Sequence, residues 1–234
     1  MTIKFALKTI AVAAALAFST AGQAAIHYSN AGHATVNAAG TTWTGDTLDV
    51  AVYDLTGTTL GNHILAFCIE PLVEQAQGTV YTQQGTTSNL TFFNDAAHAS
   101  RDTMVKALFE TQYASLTNAD PTIQKVNRVA FQLALWEIVA DNANITSGDY
   151  LYNSLSNKYV SAANNMLLGI DGYTVLGKYN YTTFNGVAGS KGSQDLISVS
   201  AVPEADTWAM LAAGLGLIGF MGRRNTRRTE KFAA

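Results

Sequence analysis

The stretch that most restricts the fold of this 234-residue chain is VAFQLALWEIVA, residues Val129–Ala140. Ten of its twelve residues are apolar, and the two exceptions are Gln132 and Glu137. A helix that is apolar nearly all round is buried on most sides, so the rest of the chain must surround it. Asp120 is suited to an N-cap and Pro121 to a first-turn position, which predicts a helix from there to about residue 140.

The segments on either side of this helix predict an α+β fold. Short strands separated by Gly, Asn and Thr turns precede it, and helical spacing appears shortly before and after it. Strand patterns return near the end of the body, so a helical block is inserted between β segments. The predicted strands are Leu48–Leu55, His63–Glu70, Tyr173–Phe184 and Gln194–Ser200, and the other predicted helices are Ala96–Leu116 and Leu151–Leu168.

Gln132 is an unusual residue for such a helix. Helical spacing places it on one face with Val129, Leu135 and Trp136, with Arg128 as the polar neighbour on that side. An unpaired buried amide costs roughly 1–3 kcal/mol on mutational scales. The amide must therefore be satisfied by a partner or consumed by a reaction.

Cys68 is the only cysteine of the chain and lies in the sequence AFCIEP. One chemistry accounts for a lone thiol together with a buried glutamine. A thiolate attacks the side-chain carboxamide, ammonia leaves, and a Cys–Gln thioester remains as an acyl group for transfer to an amine or hydroxyl. Burial protects such a bond from water until a partner arrives.

The segments FCIE and, some sixty residues later, FQLALWE resemble the bacterial thioester domains of surface adhesins. The resemblance extends over residues 25–200 and implies that Cys68 is the thioester sulfur and Gln132 the acyl donor. Phe67 and Trp136 would pack around the bond. Glu137 would make a helix-to-loop contact or act as a polar aid.

The N-terminal end, residues 1–24, is typical of a secretory signal peptide. Lys4 and Lys8 supply a basic region, and Thr9–Phe18 supplies an apolar one. Small residues follow up to Ala24, where a signal peptidase would cleave. We therefore expect export across the inner membrane.

The C-terminal end, residues 201–228, has three parts. A short motif, Val202-Pro203-Glu204, precedes an apolar stretch from Trp208 to Met221. A basic cluster follows, which would keep the end of a transmembrane helix in the cytoplasm; it comprises Arg223, Arg224, Arg227 and Arg228. This tail resembles the PEP-CTERM sorting signal of Gram-negative bacteria, although Ala205 stands where that motif has a second proline. The resemblance implies processing by an exosortase.

Charge and motif spacing exclude several other classes of function. Between Ala25 and Val202 there are seven Lys and Arg against fourteen Asp and Glu, so a nucleic-acid surface or an anionic-membrane surface is not expected. The four histidines show no metal-ligand spacing, and we expect neither a metal nor a cofactor. His63 lies at an odd spacing from Cys68, which places the two on opposite faces of a strand and disfavours a Cys/His hydrolase.

Two functions remain open at this point. The first is an exported surface or extracellular-matrix protein, a covalent adhesin that uses a Cys68–Gln132 thioester once and is not an enzyme. Its target would be a surface protein or polysaccharide with an amine or hydroxyl. The second is a non-reactive structural protein of an exopolysaccharide or biofilm matrix, in which Cys68 packs as a small buried hydrophobe. A third use of an odd cysteine is an intermolecular disulfide, against which the apolar strand argues.

Overall fold

The structure is a computed structural model, and the residues it describes run from the first strand to a short helix near the C-terminus. They are 20–28, 33–38, 41–47, 50–71, 73, 76, 79–88, 90, 93–94, 98–152, 157–188, 191–202, 210–218 and 220.

Six antiparallel strands form a closed barrel. In spatial order they are β1 (Thr20–Tyr28), β4 (Val50–Thr56), β5 (Ile64–Cys68), β9 (Lys191–Ala201), β8 (Tyr179–Ala188) and β6 (Val80–Thr87). The strands β2 (His33–Ala38), β3 (Thr41–Thr47) and β7 (Tyr150–Leu151) form a separate sheet in the order β3-β2-β7. Strands β4, β5, β8 and β9 therefore lie where the sequence predicted strands, with shifted ends.

The helical block comprises α1 (Arg101–Gln112), a 3₁₀ helix (Tyr113–Thr117), α2 (Pro121–Ala140) and α3 (Asn157–Ile170). The predicted start of α2 is confirmed, because the Asp120 side chain accepts the N–H groups of Thr122 and Ile123 at 2.8 and 3.3 Å. The first predicted helix is divided into α1 and the 3₁₀ helix. The third begins later than predicted, since Tyr150–Leu151 form a strand instead.

Helices α1 and α2 pack on the outside of the barrel through aromatic side chains. Phe67 of β5 contacts Phe131 of α2 and Phe109 of α1, with ring centroids 4.6 and 5.9 Å apart. All three side chains are fully buried. Because side chains alternate along a strand, Phe67 faces the helices while Ala66 and Cys68 face the barrel interior. The predicted α+β class is confirmed.

The two terminal predictions fall largely outside this description. Residues 1–19 of the predicted signal peptide lie outside the described residues, whereas Thr20–Ala24 form part of β1. At the other end, the described residues of the predicted apolar stretch Trp208–Met221, which are 210–218 and 220, are helical and exposed. Within the part of the chain that the structure describes, no helix has the length and apolar character needed to cross a bilayer. The predicted transmembrane helix is therefore not confirmed.

Candidate functional site

Cys68 is the last residue of β5, and the backbone of the barrel is incomplete beside it. On one side Cys68 pairs with Leu196 of β9. On the other side the pairing of β5 with β4 ends one residue earlier, at Val52 and Phe67. The N–H and C=O of Cys68 point to this second side, because the two groups of one residue face the same neighbour in an antiparallel sheet. A strand partner is thus missing at this position.

The side chain of Gln132 takes the place of that partner. Its Oε1 accepts the N–H of Cys68 at 3.0 Å, and its Nε2 donates to the carbonyl oxygen of Cys68 at 2.7 Å. The side chain has no exposed surface. Only this orientation of the amide gives each atom a complementary partner, so the carbonyl carbon Cδ is held beside Cys68. The structure therefore brings together the two residues that the sequence singled out.

The thiol of Cys68 is buried and neutral at pH 7. Burial raises its pKa to about 12. The Glu70 N–H, which donates to Sγ at 3.4 Å, lowers the pKa, and so does the side chain of Trp136. The carboxylates of Glu70 and Asp195 raise it further. A nucleophilic attack by this sulfur consequently requires that its proton be removed as the new bond forms.

Phe67 and Trp136 are both buried, and their expected packing around a thioester bond stays a prediction. Phe67 packs between the helices as described above, directly before Cys68. Trp136 lies one helical turn after Gln132 and is 4% exposed. Its indole N–H lowers the pKa of the Cys68 thiol without reaching full hydrogen-bond geometry.

Glu137 lies on the other side of α2, against the loop that follows this helix. Its carboxylate is fully buried, and neither oxygen makes a hydrogen bond of full geometry in the described structure. Burial raises its pKa to about 8, and the charge of Asp141 raises it too, whereas Asn144 and Tyr152 lower it. The role expected for Glu137, a helix-to-loop contact or a polar aid, stays a prediction.

The structure forms a cleft just after the end of β5 that the sequence did not single out. It has a volume of about 330 Å³ and is lined by Ile69, Glu70, Phe93, Thr183 and Asp195. Glu70 Oε2 accepts the N–H of Asp195 at 2.9 Å, which joins the end of β5 to β9. These residues are far apart in the sequence, so the sequence could not have predicted that they line one cleft.

The structure gives no geometric support to the other chemistries considered. His63 is largely exposed and its Nδ1 contacts Asp54 Oδ2 at 3.1 Å, whereas the thiol is 1% exposed. Among the described residues, no group of three or more His, Cys, Asp and Glu side chains could hold a metal ion.

Comparison with known proteins identifies the C-terminal tail. Residues 201–228 match the family described as "PEP-CTERM protein-sorting motif". The chain carries a PEP-CTERM sorting motif. It is therefore an exported protein that an exosortase sorts to the cell surface or the extracellular space. Of the predicted motif residues, Val202 is described, and its N–H donates to Lys178 O at 2.8 Å. Pro203, Glu204 and the four arginines lie outside the described residues.

The structure is similar to a solved structure described as "N-terminal thioester domain of protein F2 like fibronectin-binding protein from Streptococcus pneumoniae". The sequences are 13% identical and the TM-score is 0.41, over 64% of this chain and 83% of the other. No curated protein matches the chain.

Proposed function

We propose that this exported protein is a single-use covalent adhesin whose Cys68 and Gln132 form an intramolecular thioester. The observation that carries the proposal is the pair of hydrogen bonds, 3.0 and 2.7 Å long, that hold the Gln132 carboxamide against Cys68. These bonds use the one unpaired backbone edge that the described part of β5 offers next to α2. The amide lies beside the single cysteine of the chain.

The hydrogen bonds suit the chemistry of thioester formation. Sγ forms a bond with Cδ of Gln132, the Cδ–Nε2 bond breaks, and the thiol proton balances the ammonia that leaves. The N–H of Cys68 already donates to Oε1, where negative charge develops in the tetrahedral intermediate. The carbonyl oxygen of Cys68 holds the departing nitrogen through Nε2.

The second reaction attaches the target. An amine or hydroxyl of a surface protein or polysaccharide attacks Cδ, the Cδ–Sγ bond breaks, and Cys68 returns to a thiol. Gln132 stays bonded to the target, so each molecule reacts once and the protein is not a turnover enzyme.

A structural matrix protein is the alternative function, and one observation favours it. Both polar ends of the Gln132 amide are satisfied by the backbone of Cys68, so the amide has a structural use without any reaction. In that case the same two hydrogen bonds satisfy the backbone N–H and C=O of Cys68 and stabilise the packing of α2 against the barrel.

Intact mass separates the two functions. The freshly purified chain with a thioester is lighter than its unmodified sequence by one ammonia, and it gains one methylamine on incubation with that amine. Cys68→Ala abolishes both changes. Gln124→Ala is the matched control, since Gln124 lies in the same helix and bonds to Asn118 O instead. An unmodified mass in the fresh wild-type protein would contradict the adhesin proposal and support the structural one.

A further inference from the structure

Strand β1 closes the barrel through its first residues. It pairs with β4 along most of its length. With β6 it pairs at its start, where Thr20 lies opposite Thr82 and Ala21 lies opposite Tyr81. In the described part of the chain these two pairs are the ones that join β1 to β6. The closure of the barrel therefore depends on the start of β1.

The start of β1 overlaps the predicted signal peptide. Cleavage after Ala24, which the sequence predicts, removes Thr20–Ala24. The exported chain then begins at Ala25, which pairs with Tyr53 of β4. Both pairs between β1 and β6 are lost, whereas the pairs of β1 with β4 from Ala25 onward remain. Cleavage there leaves a gap between β4 and β6 that is one strand wide and as long as Thr20–Ala24.

The two walls of this gap are strand edges. One wall is the end of β4, Asp54–Thr56, and the other is the start of β6, Tyr81–Thr82. On their other sides β4 pairs with β5 and β6 pairs with β8, so both walls stay part of the sheet. Their backbone groups that bonded to the removed strand become unpaired. An unpaired strand edge is a template for pairing with another chain.

Contacts that do not involve β1 hold the two walls in place. Tyr53 of β4 packs edge-on against Tyr81 of β6, with ring centroids 5.9 Å apart. Beyond the end of β4, the N–H of Thr59 donates to Gln83 Oε1 at 3.0 Å, and the side-chain amide of Gln83 donates to the hydroxyl of Thr59. Neighbouring strands lie about 4.8 Å apart, so walls on either side of one strand are roughly 10 Å apart. Direct pairing of β4 with β6 would halve this distance and displace these side chains.

We propose that the exported chain, once cleaved after Ala24, binds an extended peptide segment of a partner protein as a strand between β4 and β6. The segment replaces Thr20–Ala24 and runs in the same direction, antiparallel to both walls. Backbone pairing gives such a strand its affinity, and the fit of its side chains gives specificity. The register favours a small residue at the second position, because Ala21 lies opposite Tyr81, which is fully buried.

The gap suits a flexible peptide segment better than a second folded copy of the chain. Its occupant needs free backbone on both edges, because both walls must be paired. Every strand in the described part of the chain already pairs with a neighbour on at least one edge. A folded copy therefore offers no strand that could enter the gap, whereas an unpaired segment of another protein does.

The gap is separate from the candidate thioester. Asp54 and Leu55 pair with Leu65 and Ile64, which lie toward the start of β5, whereas Cys68 is its last residue. Peptide binding at the gap consequently does not require the thiol or its reaction. Cys68→Ala should bind the peptide as tightly as the wild-type protein, so the gap and the thioester can fail independently.

The first measurement establishes where the exported chain begins and whether its gap is open. Intact mass should place the N-terminus at Ala25, and an N-terminus at Thr20 or earlier would overturn the proposal. The backbone amides of Asp54–Thr56 and Tyr81–Thr82 are then followed by hydrogen exchange. They should exchange faster than in a reference form that begins at Thr20, in which the gap is filled. Equal exchange in the two forms would show that the walls close on each other and would also overturn it.

The second measurement is binding of a synthetic peptide with the sequence of Thr20–Ala24, labelled at its N-terminus and followed by fluorescence polarisation. The form that begins at Ala25 should bind it at least about tenfold more tightly than the form that begins at Thr20, whose own strand competes intramolecularly. Gly22→Pro in the peptide removes a backbone N–H and should weaken binding by at least about tenfold.

Two outcomes of the binding measurement would overturn the proposal. Equal binding of the two peptides, or equal binding to the two forms of the chain, would show that the peptide does not pair as a strand in the gap. A dimer of the form that begins at Ala25 that excludes the peptide would identify a second copy as the occupant. Slower exchange of the Asp54–Thr56 and Tyr81–Thr82 amides when the peptide is added would support it.

Discussion

Helix α2 has two polar side chains in its apolar half, Gln132 and Glu137, and they differ in how many hydrogen bonds they make. Gln132 faces the barrel, and Glu137 faces the loop that follows the helix. On the barrel side, the amide of Gln132 meets the free backbone edge of Cys68 and makes two hydrogen bonds. On the loop side, the carboxylate of Glu137 is equally buried and makes none of full geometry. Burial alone therefore does not define a site. A buried polar group positions a reactive neighbour only where its partner is complementary.

The largest expected effect comes from Gln132→Ala, which removes both hydrogen bonds between α2 and Cys68. The change leaves the N–H and C=O of Cys68 unpaired in the core, and each orphaned group costs about 1–3 kcal/mol, to which a cavity adds. We expect a loss of about 4 kcal/mol in the free energy of unfolding, measured by urea denaturation. Gln124→Ala, in the exposed first turns of α2, should cost less than about 1 kcal/mol. Similar losses in the two variants would show that the Gln132 contact contributes little.

The raised pKa of Glu137 predicts that the stability of the protein depends on pH. The folded-state pKa of Glu137 is about 8, above its ordinary value of 4.5, so the folded protein binds a proton that the unfolded chain has released. Stability therefore falls as pH rises from about 4.5 through 8. Glu137→Gln should remove this loss and be more stable than wild type at alkaline pH by about 2–3 kcal/mol. Thermal unfolding across this pH range measures the effect.

Glu110 supplies a control of opposite sign for that experiment. Its carboxylate accepts the N–H groups of Leu176, Gly177 and Lys178 at 2.8 to 3.0 Å. Burial acts to raise its pKa, but these N–H groups and Tyr173 hold the pKa below the ordinary value. Its contribution is present above the unfolded pKa and is lost as pH falls through the folded one. Glu110→Gln should therefore be less stable than wild type at neutral pH. An alkaline gain in this variant would contradict the assignment to Glu137.

The smallest expected effect is that of Tyr152→Phe, which tests the surroundings of Glu137. Tyr152 is buried, and its hydroxyl lowers the pKa of Glu137. Removing that hydroxyl in Tyr152→Phe should raise the pKa of Glu137 further. The alkaline loss of stability should then have its midpoint at higher pH, with a change in the free energy of unfolding below about 1 kcal/mol at neutral pH. An unchanged midpoint would show that Tyr152 does not act on this carboxylate.

Sequence reasoning located the main parts of the candidate site because their signals are local. Asp120, Pro121 and the apolar run of α2 predicted the helix that holds Gln132, and the lone Cys68 lay in an apolar strand. The same reasoning left open what satisfies the amide of Gln132. That answer depends on β4 ending its pairing with β5 at Phe67, one residue before Cys68, and no local pattern encodes where a non-local pairing stops.

The residues that reasoning from the sequence missed are all placed by strand register. Thr183 and Asp195 come from β8 and β9, and they line one cleft because these two strands pair. A shift of one residue in either of these strands would move its side chains to the other face.

The sequence by itself determined the sorting motif at residues 201–228, the α+β class, and a buried helix with one amide in its apolar face. These depend on composition and on spacing along the chain. Only the tertiary structure decided which group the amide meets, because the hydrogen-bond partners of Gln132 are the backbone atoms at the end of a strand sixty-four residues away. These backbone atoms are free to bind the amide because the pairing of β4 with β5 ends one residue before Cys68.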